Sequence, residues 1–179
     1  RPYRYYPLGK SGAHVIGHIG RISPGDQERL IRDNLMSNYA GSTHIGKLGV
    51  EVSHESDLHG TPGVEEVEVS AGGKAIRSLS RVDPRSGNNL ELTLDARLQN
   101  LIEGWYGERK GALVAIDPTN GEVIAFVSMP SFDPNLFVDG IDHQSWNELN
   151  NDPDRPLLNR PLRGTYPPGS TYKPFMALA

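Results

Sequence analysis

Apolar positions along the chain come in short runs whose spacing changes several times. Residues 14–19 form an apolar segment bounded by glycines, which predicts a short strand. Ser23-Pro24-Gly25-Asp26 predicts a helix start: the serine can cap free amides, proline suits the first turn, and the acid sits at the positive end. Leu30, Ile31 and Leu35 then offer a short apolar face. Residues 46–59 predict a further helix ending at Gly60. Val67 and Val69 alternate with acids, the period of a half-buried strand. Ala71-Gly72-Gly73 supplies a turn, and residues 74–81 predict the returning strand.

Residues 83–89 are mostly turn formers and predict a domain boundary. Leu90, Leu92 and Leu94 then alternate with polar residues, predicting a strand. Asp95 caps a helix that carries Leu98, Leu101, Ile102 and Trp105 on one face. Two apolar runs, 112–116 and 122–127, flank Asn120-Gly121, a strong hairpin signal. Residues 130–163 are polar and rich in Pro and Asn, and predict a long loop that is either functional or packed against something outside the chain. Residues 1–10 read as irregular, and 170–179 as the start of a helix.

Composition narrows the classes. The chain has 179 residues and a net charge of −4, enough length to bury a core. Residues 1–90 carry 11 bases against 10 acids, and residues 91–179 carry 7 against 12. Neither half has the basic excess that gripping nucleic acid demands. No apolar run approaches the roughly 20 residues that span a bilayer, so any membrane anchor is expected outside this chain. With no Cys, disulfides, thiolate metal sites and cysteine nucleophiles are excluded. His14 and His18 stand four apart in a strand-like run, too far for one metal, and His54, Glu55 and His59 miss the zincin spacing. No metal or cofactor is implied.

The sharpest chemical candidate is Ser170-Thr171-Tyr172-Lys173. Residues three apart share a helix face, so the hydroxyl and the amine can meet. A serine needs a neighbouring base, and lysine serves when its environment frees the amine. Pro167-Pro168-Gly169 stiffens the approach and allows a tight entry, while Pro174 fits only a first turn, placing the helix start near Ser170. Spacing alone does not decide, because 14 Ser and 5 Lys produce roughly 0.4 such pairs by chance. Arg155, Arg160 and Arg163 lie nearby; pairing with Asp152 and Asp154 is expected in preference to an anionic substrate.

Residues 159–174, Asn-Arg-Pro-Leu-Arg-Gly-Thr-Tyr-Pro-Pro-Gly-Ser-Thr-Tyr-Lys-Pro, resemble the active-serine segment of penicillin-binding transpeptidases. Pro161 and Tyr172 depart from the residues the family carries there. Leu92-Thr93-Leu94-Asp95, Ala115-Ile116-Asp117-Pro118 and Ser131-Phe132-Asp133-Pro134-Asn135 resemble the opening of the transpeptidase domain. His14-Val15-Ile16-Gly17, Ile45-Gly46-Lys47-Leu48-Gly49-Val50-Glu51 and Leu58-His59-Gly60 resemble the pedestal of class B members. Residues 135–141 with Asn151-Asp152-Pro153 are similar to the elongation branch, penicillin-binding protein 2.

The resemblance implies an α+β architecture. Residues 1–89 would be a partial pedestal of strands and short helices. Residues 90–179 would be the N-terminal portion of an α/β, β-lactamase-like transpeptidase domain. It implies a D,D-transpeptidase with Ser170 as the acyl-ester nucleophile and Lys173 as general base, acting on peptidoglycan stem peptides and acylated by β-lactams. It also implies a place at the inner membrane facing the periplasm. Two further family motifs, Ser-x-Asn and Lys-Thr/Ser-Gly, are expected after Ala179; Lys10-Ser11-Gly12 and Ser86-Gly87-Asn88 mimic them in the wrong order. The alternative is a non-catalytic fragment that docks a RodA-type glycan polymerase and MreC, with Val67 and Val69 as candidate contacts. A plain β-lactamase is disfavoured by the pedestal-like half.

Overall fold

The computed structural model describes residues 4–178. The expectations for residues 1–3 and for Ala179 lie outside them. Helices and strands alternate irregularly, and three antiparallel two-stranded ladders form. The architecture is α+β.

The first short helix, α1 (Ala13–Ile16), lies between Gly12 at φ 66° and Gly17 at φ 76°. The strand expected over 14–19 is therefore corrected: only β1 (His18–Arg21) is extended. The two left-handed glycines curl the chain before it, a conformation that residues with a Cβ resist. A Cβ on Gly17 would lie 1.7 Å from the Leu48 carbonyl oxygen, so this turn also permits a close backbone crossing. Helix α2 (Pro24–Arg32) starts as expected. The Ser23 side chain accepts from the Asp26 amide, and the Asp26 carboxylate accepts from the Ser23 amide at 2.8 Å. Of its expected apolar face only Leu30 is buried, while Ile31 and Leu35 are exposed.

Strand β2 (His44–Leu48) pairs with β1, followed by α3 (Gly49–Ser53) and α4 (Glu55–Leu58). The single helix expected over 46–59 is thus a strand and two short helices. Gly49 at φ 61° breaks the run, and Gly60 at φ 74° ends it as expected. Leu30, Tyr39 and Ile45 form a small core with Ile22. Buried Glu51 accepts from the Tyr6 hydroxyl at 3.1 Å and pairs with Arg4 at 2.9 Å. Lys47 pairs with Asp26. Burial alone would raise the Asp26 pKa, but Lys47 and Ser23 hold it down at about 2.

Strands β3 (Val64–Val69) and β4 (Ala75–Val82) form the expected hairpin. It is exposed along both strands rather than half-buried. Residues 83–89 are irregular, yet Thr61 and Arg85 exchange backbone bonds and the Asn88 amide reaches Asp57 O.

Helix α5 (Ala96–Tyr106) starts on Asp95, whose carboxylate accepts from the Arg97 and Leu98 amides. It packs across the hairpin of β5 (Gly111–Ile116) and β6 (Val123–Met129), burying Ile102 against Ala125 and Val127. Leu101 and Trp105 point away, and Gln99 is buried instead. Its amide donates to Phe126 O at 2.8 Å and its oxygen accepts from Phe126 N at 2.9 Å, as a neighbouring strand would. Residues 90–94 do not form the expected strand. Thr93 Oγ1 to Val123 O and Asp95 N to Ile124 O hold them beside β6. Residues 130–163 are not a bare loop. They hold a 3-10 turn (Pro134–Phe137), α6 (His143–Asn151) capped by Asp142, and α7 (Arg160–Arg163). Trp146 and Leu149 are the only large apolar residues in α6, too few to show a periodic stripe.

Candidate active site

The segment that carries the candidate chemistry departs from α7. Asn159 caps this helix, accepting from the Leu162 amide at 3.4 Å. Gly164 follows at a tight point: a Cβ there would lie 2.6 Å from both Arg160 O and the Tyr166 ring. Pro167 and Pro168 then stiffen the chain into a 3-10 turn, Gly169–Tyr172, with Gly169 at φ 55°. Helix α8 (Lys173–Leu178) continues from it, with Pro174 in its first turn. The helical run therefore begins where expected, near Ser170, but its first turn is 3-10 and the α-helix proper starts at Lys173.

Ser170 sits in the 3-10 turn and Lys173 opens α8, where its amide donates to Ser170 O. Both side chains are exposed. The structure puts them one turn apart, but no hydrogen bond joins the two side chains among the described residues. Thr171 Oγ1 donates to Pro168 O and closes the turn. Tyr172 and Phe175 face each other at 5.9 Å, both largely exposed.

The three nearby arginines do not pair with Asp152 or Asp154, which corrects the expectation. Arg160 is buried, and its guanidinium donates to the main-chain carbonyls of Asp154, Arg155 and Leu158. The Asp154 carboxylate pairs with Lys110 at 2.7 Å instead. Sequence reading missed this role because main-chain acceptors leave no mark in residue identity.

Three of the histidines pack against aromatic rings. His14 Nε2 lies 2.9 Å from Pro156 O, and its ring meets Phe132 edge-on at 5.1 Å. Burial, and secondarily the Arg160 charge, push its pKa down to about 4 despite the bond to Pro156. His18 stacks on Phe137 at 4.4 Å and is also lowered, chiefly by burial. His59 stacks on Tyr39. Among the described residues no three potential metal ligands cluster. The two decoy motifs are tied into the first half: Ser11 is buried, and a Cβ on Gly87 would lie 2.0 Å from Leu58 O.

The family model of the penicillin-binding protein dimerisation domain matches residues 1–92, and that of the penicillin-binding protein transpeptidase domain matches residues 111–179. The chain belongs to the penicillin-binding proteins. It is 49% identical over 176 residues to the peptidoglycan D,D-transpeptidase MrdA of Escherichia coli K12, covering 98% of this chain and 28% of that protein. Against MrdA of Acinetobacter baumannii the identity is 50%, covering 98% and 25%. The chain thus spans about a quarter of the length of these relatives. Its fold is similar to Pseudomonas aeruginosa PBP2 solved in complex with WCK 5153, with a TM-score of 0.80 and 44% identity, covering 99% of this chain and 36% of that one. It is also similar to the Helicobacter pylori PBP2 chain solved in complex with MreC, with a TM-score of 0.83 and 34% identity, covering 98% and 32%.

Proposed function

We propose that this chain is part of a peptidoglycan D,D-transpeptidase of the elongation branch, with a pedestal over residues 1–89 and a transpeptidase domain beginning at residue 90. One observation carries the reading. Ser170 and Lys173 stand one turn apart at the end of a proline-stiffened approach, inside the segment that matches the transpeptidase family. Ser170 Oγ attacks the carbonyl of the D-Ala–D-Ala bond in a stem peptide, and its proton passes to Lys173 Nζ. The terminal D-Ala departs with a proton, leaving an acyl ester on Ser170. The amine of a second strand then attacks the ester, forming the cross-link and returning the proton to Ser170. The Ser170 amide supplies one donor to the oxyanion, as the family resemblance implies. β-Lactams mimic the scissile peptide and acylate the same oxygen.

The test is labelling of the full-length protein with a fluorescent penicillin. Ser170→Ala should abolish the label, and label that survives this substitution removes Ser170 from the mechanism.

A second, compatible reading concerns partners. The pedestal half docks MreC and a RodA-type glycan polymerase, holding the enzyme at the inner membrane and facing the periplasm. Two observations favour it: a PBP2 similar to this chain was solved in complex with MreC, and the β3–β4 hairpin exposes Val64, Val67, Val69, Ile76 and Val82. Among the described residues no helix is long and apolar enough to cross a membrane, so the anchor is assigned outside them.

A further inference from the structure

We propose that Arg160 is a positioning residue for Ser170: its buried guanidinium gathers main-chain carbonyls into a platform from which the reactive segment departs. The inference rests on the reading of Ser170 as nucleophile and deepens it.

A buried cation is costly unless its donors are satisfied. Arg160 is 5% exposed and has no carboxylate partner among the described residues. Its fork is satisfied by Arg155 O at 3.2 Å, Leu158 O at 3.5 Å and Asp154 O. Planar, multi-donor geometry is what a guanidinium offers and an ammonium does not. The carbonyl of Arg155 is presented by a residue at φ 48°, a left-handed conformation that a side chain ordinarily resists. That backbone is held where the guanidinium needs it.

The platform is then fastened to the sheet. Arg160 N donates to Ser128 Oγ at 3.1 Å, and Ser128 Oγ donates to Leu158 O at 3.0 Å. Ser128 lies in β6 and is itself buried. The opposite end of the platform carries α7, whose four residues are too few to be stable alone. Arg160 O accepts from Gly164 N at 2.9 Å, closing that helix onto the glycine turn. From Gly164 the path to Ser170 is short and stiff: Tyr166 lies against the glycine, two prolines follow, and the 3-10 turn begins. The turn and α8 pack chiefly on each other. A shift of the Arg160 platform is therefore passed along the stiff approach to the Ser170 hydroxyl.

The experiment follows acylation of the full-length protein by a fluorescent penicillin, separating the rate constant at saturating drug, the half-saturating concentration and the fraction labelled. Arg160→Met should slow acylation at saturation about 100-fold, the effect of misplacing a reacting group by about 1 Å. The half-saturating concentration should stay nearly unchanged, and Arg160→Lys should recover only part of the rate. A merely structural role predicts otherwise: a smaller labelled fraction and a lower melting temperature, with the surviving molecules reacting at the normal rate. That result overturns the proposal. Ser128→Ala, which loosens the platform without touching the buried charge, decides the matter if Arg160→Met does not fold. It should slow acylation about tenfold, and a normal rate overturns the proposal. Arg163→Ala, on the exposed side of α7, should react normally; slowing equal to that of Arg160→Met overturns it too. Label retained by Ser170→Ala sinks the nucleophile reading. Ser170-dependent label at a normal rate in Arg160→Met sinks this inference alone.

Discussion

His14 is a buried base held neutral. Its ring lies against Phe132, one nitrogen meets Pro156 O, and the other has no partner among the described residues. Its pKa falls from 6.5 in the unfolded chain to about 4 in the fold, through burial first and the Arg160 charge second. Between these values the unfolded chain takes up the proton and the folded one does not. Stability is therefore undiminished above pH 6.5 and declines as pH falls toward 4, by at most about 3 kcal/mol at about 1.4 kcal/mol per unit. His18 adds in the same direction. Asp26, held at about 2 against an ordinary 3.8, loses its contribution only below that window. His14→Gln keeps an N–H for Pro156 O but does not titrate. Its melting temperature should fall less steeply between pH 6.5 and 4 than the wild type's, and parallel curves would refute the assignment. At this scale the sequence was legible where chemistry has a motif. The Ser170 and Lys173 spacing stood out, and family resemblance gave it meaning. The roles of His14 and Arg160 were illegible, because their partners are carbonyls 142 and at most six residues away that any residue could supply.

Elements were legible where a short-range device defines them. Ser23 with Asp26, Asp95, and Asn120-Gly121 each announced a boundary that formed. Elements set by backbone crossings were not: α1 and β2 depend on left-handed glycines and on room for a neighbouring carbonyl. The β3–β4 hairpin shows the limit of period-two reading. Val64 and Val67 are three apart and would face opposite ways in a regular strand. A register shift between Glu66 and Val67 interrupts the pairing on the β4 side. The extra residue, Leu79, lies in β4, so β3 keeps its alternation: Val64, paired with Val82, and Glu66, paired with Ser80, share one face, and Val67, paired with Ser78, lies on the other. Glu65 is paired with Arg81 and Glu68 with Arg77 across the ladder, the latter as an ion pair at 2.5 Å. Both faces of the hairpin thus mix charged residues with valines that are 43–65% exposed. Exposed apolar area of this kind favours a docking partner. Val67→Lys combined with Val82→Lys should abolish capture of MreC by the full-length protein and leave penicillin labelling intact. Capture at the wild-type level would remove the hairpin from the docking surface.

At the scale of the molecule, the two halves are joined by bonds between distant residues. Gly12 N donates to Glu103 Oε1 at 3.1 Å, Ser131 Oγ to Lys10 O at 2.9 Å, and Asn159 Nδ2 to His14 O at 3.3 Å. None has a signal in local sequence, which explains why residues 130–163 looked like a free polar loop. Much of that polarity is spent on the first half. The tightest joint is Asn135, held in a 3-10 turn by the Asp133 carboxylate, which accepts from its amide at 2.9 Å and its side chain at 2.8 Å. Its Oδ1 accepts from Tyr6 N at 2.9 Å and its Nδ2 donates to Tyr6 O at 3.0 Å, so one side chain satisfies both backbone groups of a buried residue. Tyr6 in turn carries Glu51 and Ile19 N on its hydroxyl. Asn135→Ala leaves Tyr6 N without a partner, while Tyr6 O keeps the Gly9 amide at 3.1 Å, a cost of about 1–3 kcal/mol. Asn135→Asp keeps the acceptor but replaces the donor with a second oxygen facing Tyr6 O, so it should cost at least as much despite its matching size. The urea midpoint of the full-length protein, at unchanged slope, measures both. An Asn135→Asp variant as stable as the wild type would show that the joint does not depend on this paired contact.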